Sequence, residues 1–79
     1  PLLRALEVLR RQAKKPAVRE VLQSVRDRIA DGASLSDAMQ AHPQTFDAVT
    51  IGIVRAGEEG GFLEESLRRN GLLRERADE

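Results

Sequence analysis

The single histidine, His42, lies a few residues after Ser34, Ser36 and Asp37. A hydroxyl, an imidazole and a carboxylate are the parts of a nucleophilic triad, but the base has to be oriented between nucleophile and acid. All of these residues fall within one short capped helix and its flanks, which is a poor geometry for that order. A helix stop at His42-Pro43 is the simpler reading, because a residue before proline is pushed out of the helical region. A zinc site needs about four ligands, and the chain offers no cysteine and no second histidine.

Glu58, Glu59, Glu64 and Glu65 are the second cluster with chemical potential. Four carboxylates suit a hard cation such as calcium. Their spacing is not that of an EF-hand loop, and no Asp-x-Asp ladder accompanies them. Glu64 and Glu65 more simply favour the start of a helix through its dipole. No motif calls for a cofactor or a metal. Arg10, Arg11, Lys14, Lys15 and Arg19 form a basic cluster, which suits either a solvated face or anionic lipid headgroups.

The elements that position these residues are helices. The 79 residues suffice for one small domain with a thin core. Charged residues make up 33% of the chain at formal net charge zero, which argues against a nucleic-acid binder driven by bulk charge. The absence of cysteine removes any disulfide framework. The longest uncharged runs, Ala38 to Phe46 and Ala48 to Val54, fall far short of the roughly 20 apolar residues of a membrane helix. The opening at Pro1 rather than Met points to a piece excised from something longer.

Periodicity places a first helix over about Leu2 to Lys14, with Leu2, Leu3, Leu6, Leu9 and Ala13 on one face. Pro16 falls in the first turn of a second helix, whose stripe is Val18, Val21, Leu22, Val25 and Ile29. Gly32 suits the left-handed position after that helix. Ser34 reads as an N-cap, with Asp37 able to reach back to it. A short helix, about Leu35 to Ala41, then buries Leu35, Ala38 and Met39. A fourth helix is expected from about Phe46 to Glu59, with Phe46, Val49, Thr50, Ile53, Val54 and Gly57 as its apolar stripe and Ile51 widening it. Gly52 within it costs about 1 kcal/mol relative to Ala, for which close approach of another backbone is the expected compensation. Gly60 and Gly61 are expected to break the chain into a sharp corner, and a fifth helix, about Leu63 to Ala77, to follow, weakened by Gly71. The expected fold is all-α: an antiparallel bundle of about four or five helices in one domain over residues 1–79.

Four segments then carry a resemblance. Leu3-Arg-Ala-Leu-Glu-Val-Leu9 is a leucine-rich helix followed by a polar linker. Val25 to Met39 runs helix, Gly32, Ser34-Leu35-Ser36 and short helix. His42-Pro43-Gln-Thr-Phe46 is a Pro-x-x-Phe turn. Gly57-Glu58-Glu59-Gly60-Gly61-Phe62-Leu63 fits Gly-Glu-x-x-Gly-x-Leu. In this order and at these separations they resemble the F domain of the inner-membrane platform proteins of type II secretion and type IV pilus systems. The resemblance covers nearly the whole chain. It implies an all-α scaffold on the cytoplasmic side of the inner membrane, membrane helices elsewhere in the parent protein, and contacts with an assembly ATPase and other platform proteins. It assigns motif roles to Gly57, Glu58, Gly61 and Leu63, and structural roles to Gly32, Ser34, Leu35, Ser36, Pro43 and Phe46. Gly60 departs from it, standing where the family often has Ser. The family's helix before the Leu2 segment is also absent, which leaves an apolar groove without its usual cover.

Three functions follow as expectations. The leading one is a non-enzymatic platform domain that docks proteins. Self-association through the uncovered leucine face of the first helix (Leu2, Leu6, Leu9) accompanies it. The alternative is a small helix-turn-helix nucleic-acid-binding domain, against which Asp27, Asp31 and Asp37 flank the turn after the second helix.

Overall fold

The computed structural model describes residues 1–72, in which four helices follow one another: α1 (Leu2–Gln12), α2 (Pro16–Ala30), α3 (Leu35–Gln40) and α4 (Ala48–Arg69). The all-α expectation holds. The fourth and fifth helices of the sequence reading are one helix. Its expected extension to Ala77 stops at Arg69, and positions 73–79 lie outside the described residues.

Local chemistry explains each boundary. Pro16 occupies the first turn of α2, where a missing N–H costs nothing. Arg19, one turn into α2, donates from Nη1 to the carbonyls of Ala13 (2.8 Å) and Lys14 (3.2 Å), binding α2 to the linker that follows α1. At the end of α2, Gly32 takes φ +109°. Its N–H reaches the Ile29 carbonyl, and that of Ala33 reaches Arg28, both at 3.0 Å. This Schellman pattern satisfies carbonyls that the helix itself leaves open. Ser34 caps α3 by accepting the Asp37 N–H at 3.1 Å. The Asp37 carboxylate does not reach back to the cap as expected, and instead pairs with Arg55 at 2.9 Å. After α3, the N–H groups of Thr45 and Phe46 both bond to the His42 carbonyl, closing the turn around Pro43. Asp47 then caps α4 through the Thr50 N–H at 2.8 Å, so this helix begins at Ala48 rather than Phe46.

The corner expected at Gly60-Gly61 is absent. Only Gly32 and Gly71 have positive φ among the described residues, so Gly57, Gly60 and Gly61 continue the helix. Each costs about 1 kcal/mol relative to Ala, but interrupting a helix creates two new ends to be capped and a fresh nucleation cost. Good helix formers flank the glycines, and the pairs Glu64–Arg68 (3.7 Å) and Glu65–Arg69 (3.4 Å) brace the last turns at i, i+4 spacing. The stop lies at Gly71 (φ +74°), where the Leu72 N–H returns to the Leu67 carbonyl at 2.8 Å and the Gly71 N–H to Arg68 at 3.0 Å. Gly52 is also corrected: nothing lies within 4 Å of where its Cβ would be, so no backbone approaches it closely.

Packing is serial. α1 lies on α2, α2 on α3 and α3 on α4, and no Cα of α4 comes within 8 Å of α1 or α2. One node joins three helices: Leu6, Val25 and Ala38, with Val21, Leu22, Ile29, Leu35 and Phe46 half-buried around it. Among the described residues, Met39 and Ile51 are the other buried apolar side chains. The molecule is long, 46 × 25 × 24 Å, and its radius of gyration of 15.5 Å exceeds the roughly 12 Å of a compact chain of this length.

Candidate protein-interaction site

The junction of α3 and α4 is built around a buried serine. Ser36 is 1% exposed, the one buried polar residue among those described. It sits in the first turn of α3, where backbone N–H groups have no helical acceptor. Glu58, reaching across from α4, supplies one: its Oε2 accepts the Ser36 N–H at 2.9 Å and its Oε1 the Ser36 hydroxyl at 2.6 Å. Arg55, one turn earlier on α4, donates from Nε to the same hydroxyl at 3.2 Å and from Nη2 to Asp37 at 2.9 Å. Hydrogen bonding from the Ser36 hydroxyl, then from its backbone N–H, holds the Glu58 carboxyl below the usual glutamate range. Burial works against that shift, and the Arg55 charge adds to it more weakly.

These contacts fix which side of α4 faces inward. Ile51, Arg55 and Glu58 form one side, and Ile51 is buried. The expected stripe of Val49 and Ile53 is on the other side, where the two residues are 71% and 68% exposed. Of the motif residues, Glu58 thus points into the fold, Leu63 is exposed at 59%, and Gly57 and Gly61 have open space around them. Gly32 and Ser34 are the end of α2 and the cap of α3. Leu35 and Phe46 pack on the core node, and Pro43 lies in the turn that brings Phe46 there. An apolar hollow of about 220 Å³, lined by Ala17, Val18, Val21, Leu22, Thr45 and Phe46, opens beside that turn.

The catalytic arrangement raised by the sequence does not assemble. His42 Nε2 hydrogen-bonds the Ser24 hydroxyl of α2 at 2.8 Å, whereas Ser36 is committed to Glu58 and Arg55. Ser24 escaped sequence reasoning because it lies 18 positions away on another helix. The acidic cluster is likewise dispersed: Glu58 binds Ser36, Glu64 pairs with Arg68 and Glu65 with Arg69. No group of three or more metal-ligating side chains gathers among the described residues. The helix-turn-helix alternative requires a helix free to enter a groove. α3 has six residues, of which Ser36, Ala38 and Met39 are buried between its neighbours.

At the other end, Glu7 collects arginines. Arg10 lies 2.6 Å and Arg11 3.3 Å from its carboxylate, and Arg26 of α2 approaches at 3.7 Å. The Arg10 hydrogen bond is the main cause that lowers the Glu7 carboxyl to about 2.

Residues 1–78 match the family described as type II secretion system (T2SS), protein F. The chain belongs to this family. Among curated relatives of T2SS protein F, it is 33% identical over 76 residues to the type IV pilus assembly protein PilC of Myxococcus xanthus, covering 96% of this chain and 18% of that protein. It is 38% identical over 77 residues to the type 4 fimbrial assembly protein PilC of Pseudomonas putida (96% and 19%). It is 36% identical over 69 residues to the type II secretion system protein F of Vibrio cholerae (87% and 17%). The chain therefore spans less than a fifth of the length of these relatives. No helix among the described residues is long and apolar enough to cross a membrane.

Proposed function

We propose that this chain is a non-enzymatic docking module of a type II secretion or type IV pilus assembly machine. It faces the cytoplasm within a parent protein embedded in the inner membrane. It binds the assembly ATPase and other platform proteins through helix faces, and it self-associates. The observation that carries this reading is the family match over residues 1–78, together with relatives named for pilus assembly and for type II secretion. Geometry supports it from a second direction. The polar side chains that could have done chemistry are spent on holding α3 to α4 and α2 to the Pro43 turn, while large apolar side chains stand exposed along α4. Exposed apolar surface of that extent marks protein contacts.

A pull-down of the folded chain against the assembly ATPase and the other platform proteins of its own system tests the proposal. Capture of one or more is expected. Absence of all of them, with helicity confirmed by circular dichroism, would overturn it.

A further inference from the structure

Formal neutrality hides a division of charge. Residues 1–19 carry six cationic side chains against one acidic, whereas residues 20–72 carry five against nine. The helices pack in series with α1 first, so the cations gather on the α1 side of the stack. Glu7 takes Arg10 at 2.6 Å but holds Arg11 only at 3.3 Å, and the Arg11 side chain stays 74% exposed. Arg4, Lys14 and Lys15 are exposed and form no ion pair among the described residues. Arg19 bonds the carbonyls of Ala13 and Lys14, which sets a further charge beside the two lysines. On α1 itself, Arg4, Val8 and Arg11 stand at i, i+4 and i+7, along one side of the helix. Leu6, expected on an uncovered leucine face, lies on the opposite side and is buried at the core node. With Leu3, Glu7 and Arg26 of α2, the Arg4–Val8–Arg11 stripe lines a hollow of about 430 Å³.

We propose that this side of α1, together with the Lys14-Lys15 linker, rests on an anionic lipid surface. The proposal rests on the membrane-embedded parent proposed above, which keeps a bilayer within reach. Charge complementarity selects the occupant. The cations are spread over the roughly 16 Å of an 11-residue helix and the linker beyond it. A plane of anionic headgroups meets all of them at once, and one acidic side chain does not. Val8 agrees. It is 46% exposed in the middle of the stripe, where it gains from the apolar edge of a bilayer and gains nothing from a phosphate backbone. A single-stranded nucleic acid calls for aromatic platforms, and neither phenylalanine lies in residues 1–19. Glu7 opposes the contact, but Arg10 neutralises it from 2.6 Å. Because Leu6 is already packed on α2, α1 adsorbs to the surface rather than inserting. The contact is therefore electrostatic, reversible and sensitive to salt.

Co-sedimentation of the folded chain with vesicles tests this. Binding is expected to phosphatidylcholine vesicles containing about one-third phosphatidylglycerol, and not to phosphatidylcholine alone. It is expected to vanish at about 1 M salt, where the screening length falls to about 3 Å. Each cation near such a surface adds roughly fivefold to partitioning, so Lys14→Ala with Lys15→Ala should weaken binding about 25-fold. Both lysines are exposed and outside the helices, so helicity should not change. Val8→Ser is expected to weaken vesicle binding and to leave any binding to duplex DNA or polyglutamate unaltered. No binding to the anionic vesicles, equal binding to both vesicle types, or full binding by the double lysine variant would overturn the proposal. So would capture by duplex DNA or polyglutamate as strong as by vesicles, with Val8→Ser without effect, which would assign the surface to a soluble polyanion. The pull-down of protein partners does not depend on these outcomes, so the docking reading stands or fails separately.

Discussion

Glu58 accepts two hydrogen bonds from Ser36, one from its backbone N–H and one from its hydroxyl, and so serves as a cap for a helix to which it does not belong. Ser36 is almost completely buried with Glu58 in place, so its N–H and hydroxyl depend on that carboxylate for partners. Glu58→Ala is expected to destabilise the fold by about 1–3 kcal/mol, the cost of leaving buried donors unsatisfied. Glu58→Gln, which keeps one acceptor, costs less. Urea denaturation of the two variants in parallel checks the order.

The same carboxylate makes stability depend on acid. The Glu58 carboxyl lies below its ordinary value in the fold, and the Glu7 carboxyl falls from 4.5 to about 2. A depressed carboxyl stabilises the fold fully above its unfolded pKa. That contribution is lost as pH falls through the folded value. The urea midpoint is therefore expected to drop on acidification from the ordinary glutamate range towards pH 2. In Glu58→Gln the upper part of that fall becomes shallower. An unchanged profile in this variant would mean that Glu58 is not held by Ser36 in solution.

Glycine substitutions separate a continuous α4 from a helical corner. With helical backbone and nothing within 4 Å of the added Cβ, Gly61→Ala is expected to raise stability by about 0.5–1 kcal/mol. Gly32→Ala, at φ +109°, is expected to lower it by about 1–2 kcal/mol. Thermal melts of the two variants should move in opposite directions. A loss at Gly61 would place a turn there after all.

The three-helix node is tested by volume. Val25 is 1% and Ala38 0% exposed. Ala38→Leu is expected to cost about 1–3 kcal/mol through overpacking, and Val25→Ala a comparable amount through the cavity it leaves. Both effects should appear as lower urea midpoints.

Much of this fold is legible in the chain because its signals are local. Pro16, Gly32 and Ser34 each act within a few residues of themselves, and the structure places each where its chemistry requires. The stripe of α2 likewise holds, with Val25 fully buried. α4 departs from its sequence pattern for two physical reasons. It carries apolar residues on opposite sides, and periodicity alone assigns the richer stripe of Val49 and Ile53 to the core, whereas the contact with α3 uses Ile51, Arg55 and Glu58. Adjacent glycines also read as a stop, although a stop requires positive φ, which Gly71 adopts and Gly60 and Gly61 do not. The Ser36–Glu58 pairing spans 22 positions, beyond the reach of any local pattern.

The serial order in which the helices pack also governs how the chain acquires its shape. Contacts between near neighbours give a low contact order, so the search for them is short and folding is fast. Each helix can settle on its predecessor as it emerges from the ribosome, without waiting for the far end. α4, which among the four helices packs on α3 alone, is the part whose detachment leaves the most structure behind.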